Sequence, residues 1–306
     1  MSLGLTVDAL VERVRRDAHL GSYGPVYSLA DDVLAGATQL MLNEPVMHIT
    51  KGSIVAVDTE LYRVQDIHHD SNMIDVLPGA YGSTTAAHTM NTLVEQDPRL
   101  PKASLLDWAE HEIRSWNKLL FRITALDLTA SRTERAYDLA GVTEIDYLLE
   151  VRQQPEGTSI DGWGYSWSGD TWPHVAARLL RDMNTSEFAS GFAVQLSTYP
   201  RRASTLRVVY ARPFDLSPFT LATDLVTDVG LQPEWLDILE NGLRWGALTN
   251  SMVSRTDWRA TGMARDSEEV TLLDLTRAVD MARSQRDRRL NEEALNIRAK
   301  YPYRSG

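Results

Sequence analysis

The stretch from Pro233 to Trp258 reads PEWLDILENGLRWGALTNSMVSRTDW. Pro233 stands where a first helical residue would, because its fixed φ suits that position and its missing N–H is not needed there. Leu236, Leu239, Leu243, Gly246 and Val253 then recur at the three-four spacing of one helical face. Gly242, Gly246 and Ala247 lie on or beside that stripe, and residues so small let a second helix approach closely. Gly262 ends the run. Asp266, with Glu269 three positions on, forms a capping box for another helix. Neither Pro nor Gly interrupts that helix until about Lys300. Its first half offers Val270, Leu273, Leu275, Val279 and Met281. Its second half is mostly charged, with only Leu290, Ala294, Ile297 and Tyr301 in line. A helix divided in this way is expected to dock by its first half and project by its second.

Working outward, 306 residues predict two or three domains. Hydrophobic content of 43% and charged content of 24% are ordinary for a soluble globular protein. No apolar run reaches membrane-spanning length, and MSLGLTVDALVERV lacks the basic start and small-residue cleavage site of a signal peptide. Cysteine is absent, which removes disulfides, thiolate zinc sites and cysteine nucleophiles and fits a reducing compartment. The net charge of −11 argues against a surface that grips nucleic acid, which needs clustered Lys and Arg. It fits either simple solubility or a surface past which DNA slides without sticking.

The chain opens with a helix that Thr6 can cap, with Asp8 near its positive end and Val7, Leu10, Val11 and Val14 as its buried stripe. From Val26 the texture changes to short alternating runs separated by turn residues, and a small antiparallel barrel or sandwich is expected over 25–100. Ser104, with Asp107 as the partner in a capping box, starts a helix over 101–121 whose bulky face is Leu105, Trp108, Ile113, Trp116 and Leu120. Strand texture returns over 122–218, a second β module of sandwich type, interrupted from about Pro155 to Ser190 by an excursion rich in Gly, Trp and Ser. The fold class is therefore α+β: helices at 1–24, 101–121 and 219–306 form one core that carries two mainly antiparallel β modules. Lone helices of this length rarely persist in water, which favours packing them together.

Little of the sequence offers chemistry. His68, His69 and Asp70 are the densest potential metal ligands, but neighbours on a strand point to opposite faces, and HHDSN reads as a polar hairpin turn. His111-Glu112 begins like a zinc-protease helix, yet Ser115 occupies the place of the second His. There is no phosphate-binding glycine loop and no nucleophile elbow. With no convergent acid, base and orienting group, no catalytic residue, metal or cofactor is assigned, and the chain is read as not an enzyme. Trp163, Tyr165 and Trp167 alternate, with Trp172 following, so on a strand they could stack on a sugar or base, pack across a hairpin, or anchor a neighbouring subunit. Arg283, Arg286, Arg288, Arg289, Arg298 and Lys300 concentrate in the last helix, either as a solvated face with pairs such as Arg289–Glu293 or as a basic arm for an acidic partner.

Two stretches carry a resemblance. GSIVAVDTELYRVQDIHHDSNMIDVLPGAYGSTTAAHTMNTLVEQDP resembles a β module of tailed-phage virion proteins that closes on an R-G-x-x-G-T-x-x-x-H cadence. Pro78-Gly79 replaces the usual Arg-Gly, while Gly82-Ser83-Thr84 and His88 keep the remainder. PEWLDILENGLRWGALTNSM followed by RRLNEEALNIRAKYPYR is similar to the C-terminal region of head-to-tail adaptor (connector) proteins of long-tailed, siphovirus-like actinobacterial phages. FASGFAVQLSTYPRRASTLRVVYARPF also fits that family. The resemblance implies a structural virion protein at the capsid–tail junction, assembled in the host cytoplasm. It would form a homo-oligomeric ring, dodecameric, between the portal and the tail-side connector or stopper protein. Double-stranded DNA would pass through the ring without sequence-specific binding, and no membrane is involved. By the same resemblance the C-terminal arm docks on the portal, through Arg286, Arg289, Leu290, Ile297, Tyr301 and Tyr303. Two other readings stay open: a minor tail or baseplate structural protein with the same β module, and a carbohydrate-binding module using the Trp-rich 163–172 stretch.

Overall fold

A computed structural model describes residues 5–17, 25–98, 100–116, 119–154, 172–200, 203–260 and 272–302, with backbone alone at 251–260 and 272–274. The fold is α+β, and the chain divides into two compact units. One gathers Met1–Ile113, Ser217–Val226 and Glu234–Asp287; the other gathers Arg114–Leu216, Thr227–Pro233 and Arg288–Gly306. The helices are thus shared between two units, where the sequence predicts one helical core with two insertions. No described helix is long and apolar enough to cross a membrane.

In the first unit, α1 (Val7–Asp17) starts where the Thr6 hydroxyl accepts the Ala9 N–H at 3.3 Å. Val7, Leu10, Val11 and Val14 are completely buried, as their spacing predicts. Six short strands follow: β1 (Val26–Ser28), β2 (Gln39–Met41), β3 (Ile54–Val57), β4 (Glu60–His68), β5 (Met73–Leu77) and β6 (Leu93–Gln96). They pair in the order β1-β6-β3-β4-β5-β2. An antiparallel bridge between Leu29 and Leu42 joins the two ends, with Ala30 N–H donating to Met41 O at 2.9 Å and Asn43 N–H to Ser28 O at 2.9 Å. That bridge ties the two ends of the sheet together and closes it into a small barrel. Its interior is aliphatic around Tyr27 and Tyr62, and Leu29, Leu40, Val55, Ile74 and Val94 are fully enclosed. The HHDSN stretch forms the β4–β5 connection, a short 3-10 turn over His69–Ser71 released by Asn72 at φ 50°.

α2 (Lys102–Ser115) begins directly after Pro101, two residues ahead of the cap predicted at Ser104. Ser104 N–H already donates to Pro101 O at 3.1 Å, so Ser104 is inside the first turn and Pro101 sets the start. α3 (Leu236–Ala260) follows a 3-10 turn over Pro233–Trp235. Trp235, Ile238, Leu239, Leu243 and Ala247 make its buried side. Ion pairs strap α1 to its neighbours. Arg15 grips Glu95 on β6 through two bonds of 3.0 and 2.5 Å. Lys102 meets Asp8 and Glu12 at 2.9 Å each. Arg13 reaches Glu240, and Arg244 reaches Asp17.

The second unit holds two three-stranded antiparallel sheets. β7 (Arg122–Ala130), β12 (Ser204–Arg212) and β9 (Tyr147–Gln153) form one, in the order β7-β12-β9; β10 (Ala177–Leu180), β11 (Ala193–Leu196) and β8 (Ala136–Asp138) form the other, in the order β10-β11-β8. Both contribute to one core around Leu139, Val151, Val194, Leu206 and Val208. The sequence hides β10 because it lies inside the Trp-rich excursion. Its only signal is VAARLL, a run with no turn residue at either end of the strand itself.

α4 (Leu272–Lys300) has 29 residues, which at 1.5 Å each gives about 43 Å. The predicted capping box at Asp266 and Glu269 lies outside the described residues.

Candidate functional site

The C-terminal helix was the predicted docking element, and its side chains divide cleanly. Leu290, Ala294, Ile297 and Tyr301 are all buried, with exposures of 5–6%. This stripe belongs to the second unit. The sequence led to a free, projecting arm; instead the thin apolar stripe is covered within the chain, which removes its apolar surface from water. Arg286 is also committed inside the chain. Its guanidinium bonds Glu112 of α2 at 2.7 Å and Asp287 at 2.7 Å, all within the first unit. Burial opposes the charge, but the two carboxylates outweigh it and raise the Arg286 pKa. Arg289 pairs with Glu292 and Glu293 at 3.0 Å each, the second being the predicted i,i+4 pair. Tyr303 lies outside the described residues.

What α4 presents outward is a different set. Arg288 is 70% exposed and Leu295 61%, with Arg298 exposed between turns of the same face. Leu295 carries no periodic signal in the sequence, because it stands one position away from the apolar stripe of Leu290, Ala294, Ile297 and Tyr301. Nearer the start of the helix, Arg283 lies over the Trp245 ring of α3, 5.6 Å from its centroid.

The aromatic candidates fare unevenly. Trp163, Tyr165 and Trp167 lie outside the described residues. Trp172 is half-buried, and the Arg207 guanidinium covers its ring at 5.5 Å while gripping Asp127 at 2.8 and 2.9 Å. That face of the indole is therefore already occupied.

In the barrel, the residues of the G-S-T-x-x-x-H cadence converge on the β3–β4 turn. Ser83 Oγ accepts the Leu61 N–H at 2.9 Å, and Ala86 N–H donates to Glu60 at 2.9 Å. His88 lies between two carboxylates, with Nδ1 3.3 Å from Asp58 and Nε2 3.1 Å from Glu60. Glu60 is completely buried. The Asp58 hydrogen bond, then that of Glu60, hold the imidazole pKa above its ordinary value against the opposing effect of burial. Reciprocally, the His88 contact lowers the Asp58 pKa. Burial, and then the nearby Glu60 carboxylate, push the Tyr62 phenol up. The arrangement is a clamp: each carboxylate meets a different ring nitrogen, so the three groups face one another instead of a common metal position. Among the described residues, no group of three His, Asp or Glu side chains could hold a metal ion.

Charge is distributed unequally. From Val26 to Pro98, the barrel segment has ten Asp and Glu against two Lys and Arg, a net of −8 within a chain total of −11. From Arg283 to Lys300 there are six basic residues against three acidic ones. No known protein family and no curated protein matches the sequence.

Proposed function

We propose that the chain is a structural virion protein, a head-to-tail adaptor that assembles as a ring between the portal and the tail-side connector, around the path of the DNA. The observation that carries this reading is the outward face of α4: Arg288, Arg298 and an exposed leucine, with Glu292 beside Arg288, on the longest described helix of a strongly acidic chain. A face of that composition suits docking into an acidic groove on a partner. The acidic barrel supports the same reading, since a surface poor in cations does not retain phosphate and duplex DNA can pass it.

The docking face is tested with the full chain and its portal. Arg288→Glu with Leu295→Asp changes two exposed positions, so the fold is retained by circular dichroism. Co-sedimentation with portal is expected to fall at least tenfold against wild type. Equal binding by the variant excludes this face as the docking surface.

A further inference from the structure

The second unit contains a cleft of about 1050 Å³ lined by β9, β10, β11 and the end of α4. Its origin is a strand that changes sheets. Val175 N–H donates to Val151 O of β9 at 2.8 Å, but one residue later Ala176 O accepts the Ser197 N–H at 2.9 Å beyond β11. The chain leaves β9 at that point, and Leu148 and Leu149 line the gap left behind. Around this apolar floor stand Arg135, Arg178 and Lys300. Arg135 donates through Nε to Leu196 O and covers the Tyr199 ring, Arg178 donates to Gln195, and Lys300 lies over Tyr301. None of the three has a carboxylate partner among the described residues. The one acid among the described lining residues, Glu150, is already matched by Arg152 at 2.9 Å and His174 at 3.5 Å. Three cations without a carboxylate partner among the described residues, around an apolar floor, suit an occupant that is both acidic and apolar.

The barrel of the same chain presents such a segment. The loop after β1 carries Asp31 and Asp32 followed by Leu34, which is 78% exposed. Asp32 accepts the Met90 N–H at 2.8 Å, and Val33 pairs with His88 in an antiparallel bridge, so the loop is held firmly while Leu34 projects. Asp31 is exposed and has no ion-pair partner among the described residues. We infer that the β9–β10 cleft receives the Asp31–Leu34 loop of a second copy of this chain, with Leu34 on the apolar floor and the aspartates against Arg135, Arg178 and Lys300. The two surfaces differ, so the contact is head-to-tail and repeats from copy to copy, which is the kind of interface that builds a ring. The inference rests on the ring reading and specifies its subunit contact.

Two full-length variants test it. Asp31→Ser with Leu34→Ser spoils the loop and leaves the cleft; Arg135→Glu with Arg178→Glu spoils the cleft and leaves the loop. Should the second fail to fold, Arg178→Glu alone, at an exposed position, replaces it. In sedimentation velocity each variant alone is expected to remain monomeric. Their equimolar mixture, at about 1 mM to populate even a millimolar contact, is expected to give a 1:1 dimer, since only one intact loop and one intact cleft remain. A mixture that stays monomeric, or variants that assemble as wild type does, overturns the inference; if the wild type still forms rings, the ring reading survives. A wild type that forms no ring alone or with portal overturns that reading instead, and a 1:1 dimer in the mixture would still establish the contact.

Discussion

His88 shows how one residue can secure a whole loop. Its ring bridges Asp58 and the buried Glu60, while Ser83 and Ala86 bond the start of β4, so residues 83–88 are fixed along the barrel rim. The cost of burying Glu60 is offset when the imidazole is protonated and donates from both nitrogens. Because the folded His88 pKa is raised, its contribution is complete below the unfolded value of about 6.5 and is lost as pH rises through the higher folded value. Asp58, whose folded pKa is lowered, contributes above its unfolded value of about 3.9 and loses that as pH falls through the folded one. The clamp is thus strongest between about pH 4 and 6.5. Thermal melts of wild type and His88→Gln from pH 5.5 to 9 should converge as pH rises, with the variant flatter. Parallel curves would show that the clamp does not titrate as described.

At the scale of elements, the close crossing of α2 and α3 depends on Gly242. A Cβ there would stand 2.6 Å from Glu112 Cδ, and Glu112 cannot swing aside without leaving Arg286 of α4. Gly246 plays a milder part, where a Cβ would meet the Trp108 ring at 3.0 Å. Gly242→Ala should therefore destabilise by about 1–3 kcal/mol in urea unfolding, despite the better helix propensity of alanine. In a Glu112→Ala background the same change should become neutral or gain up to about 1 kcal/mol. An undiminished cost there would place the strain elsewhere. These small residues, the α1 stripe and the barrel's alternating runs were legible in the sequence, because period and turn chemistry are local. The choice of the second helical stripe as a free surface was not. A line of Leu290, Ala294, Ile297 and Tyr301 looks the same whether its cover comes from a partner or from the chain itself. The cation cleft was equally hidden, since it is assembled from separate strands and the end of a helix, as Glu150 on β9, Gln195 on β11 and Lys300 on α4 illustrate. β10 carries no alternating pattern or bounding turn residue that would set it apart from the aromatic run before it.

For the whole molecule, the decisive property is the separation of charge. The barrel segment holds a net −8, while the end of α4 has six basic residues against three acidic ones and the β9–β10 cleft is lined by Arg135, Arg178 and Lys300. Fields of this size reach about 8 Å at physiological ionic strength, so they act at contacts and not at a distance. On the adaptor proposal, copies of such a chain would attract by unlike surfaces, and DNA would meet a face that does not hold it. The adaptor proposal is tested most directly by electron microscopy of wild-type protein mixed with portal. The account predicts rotationally symmetric rings stacked on one end of each portal, with a clear central channel. Single particles lying beside bare portals, at every ratio tried, would contradict it.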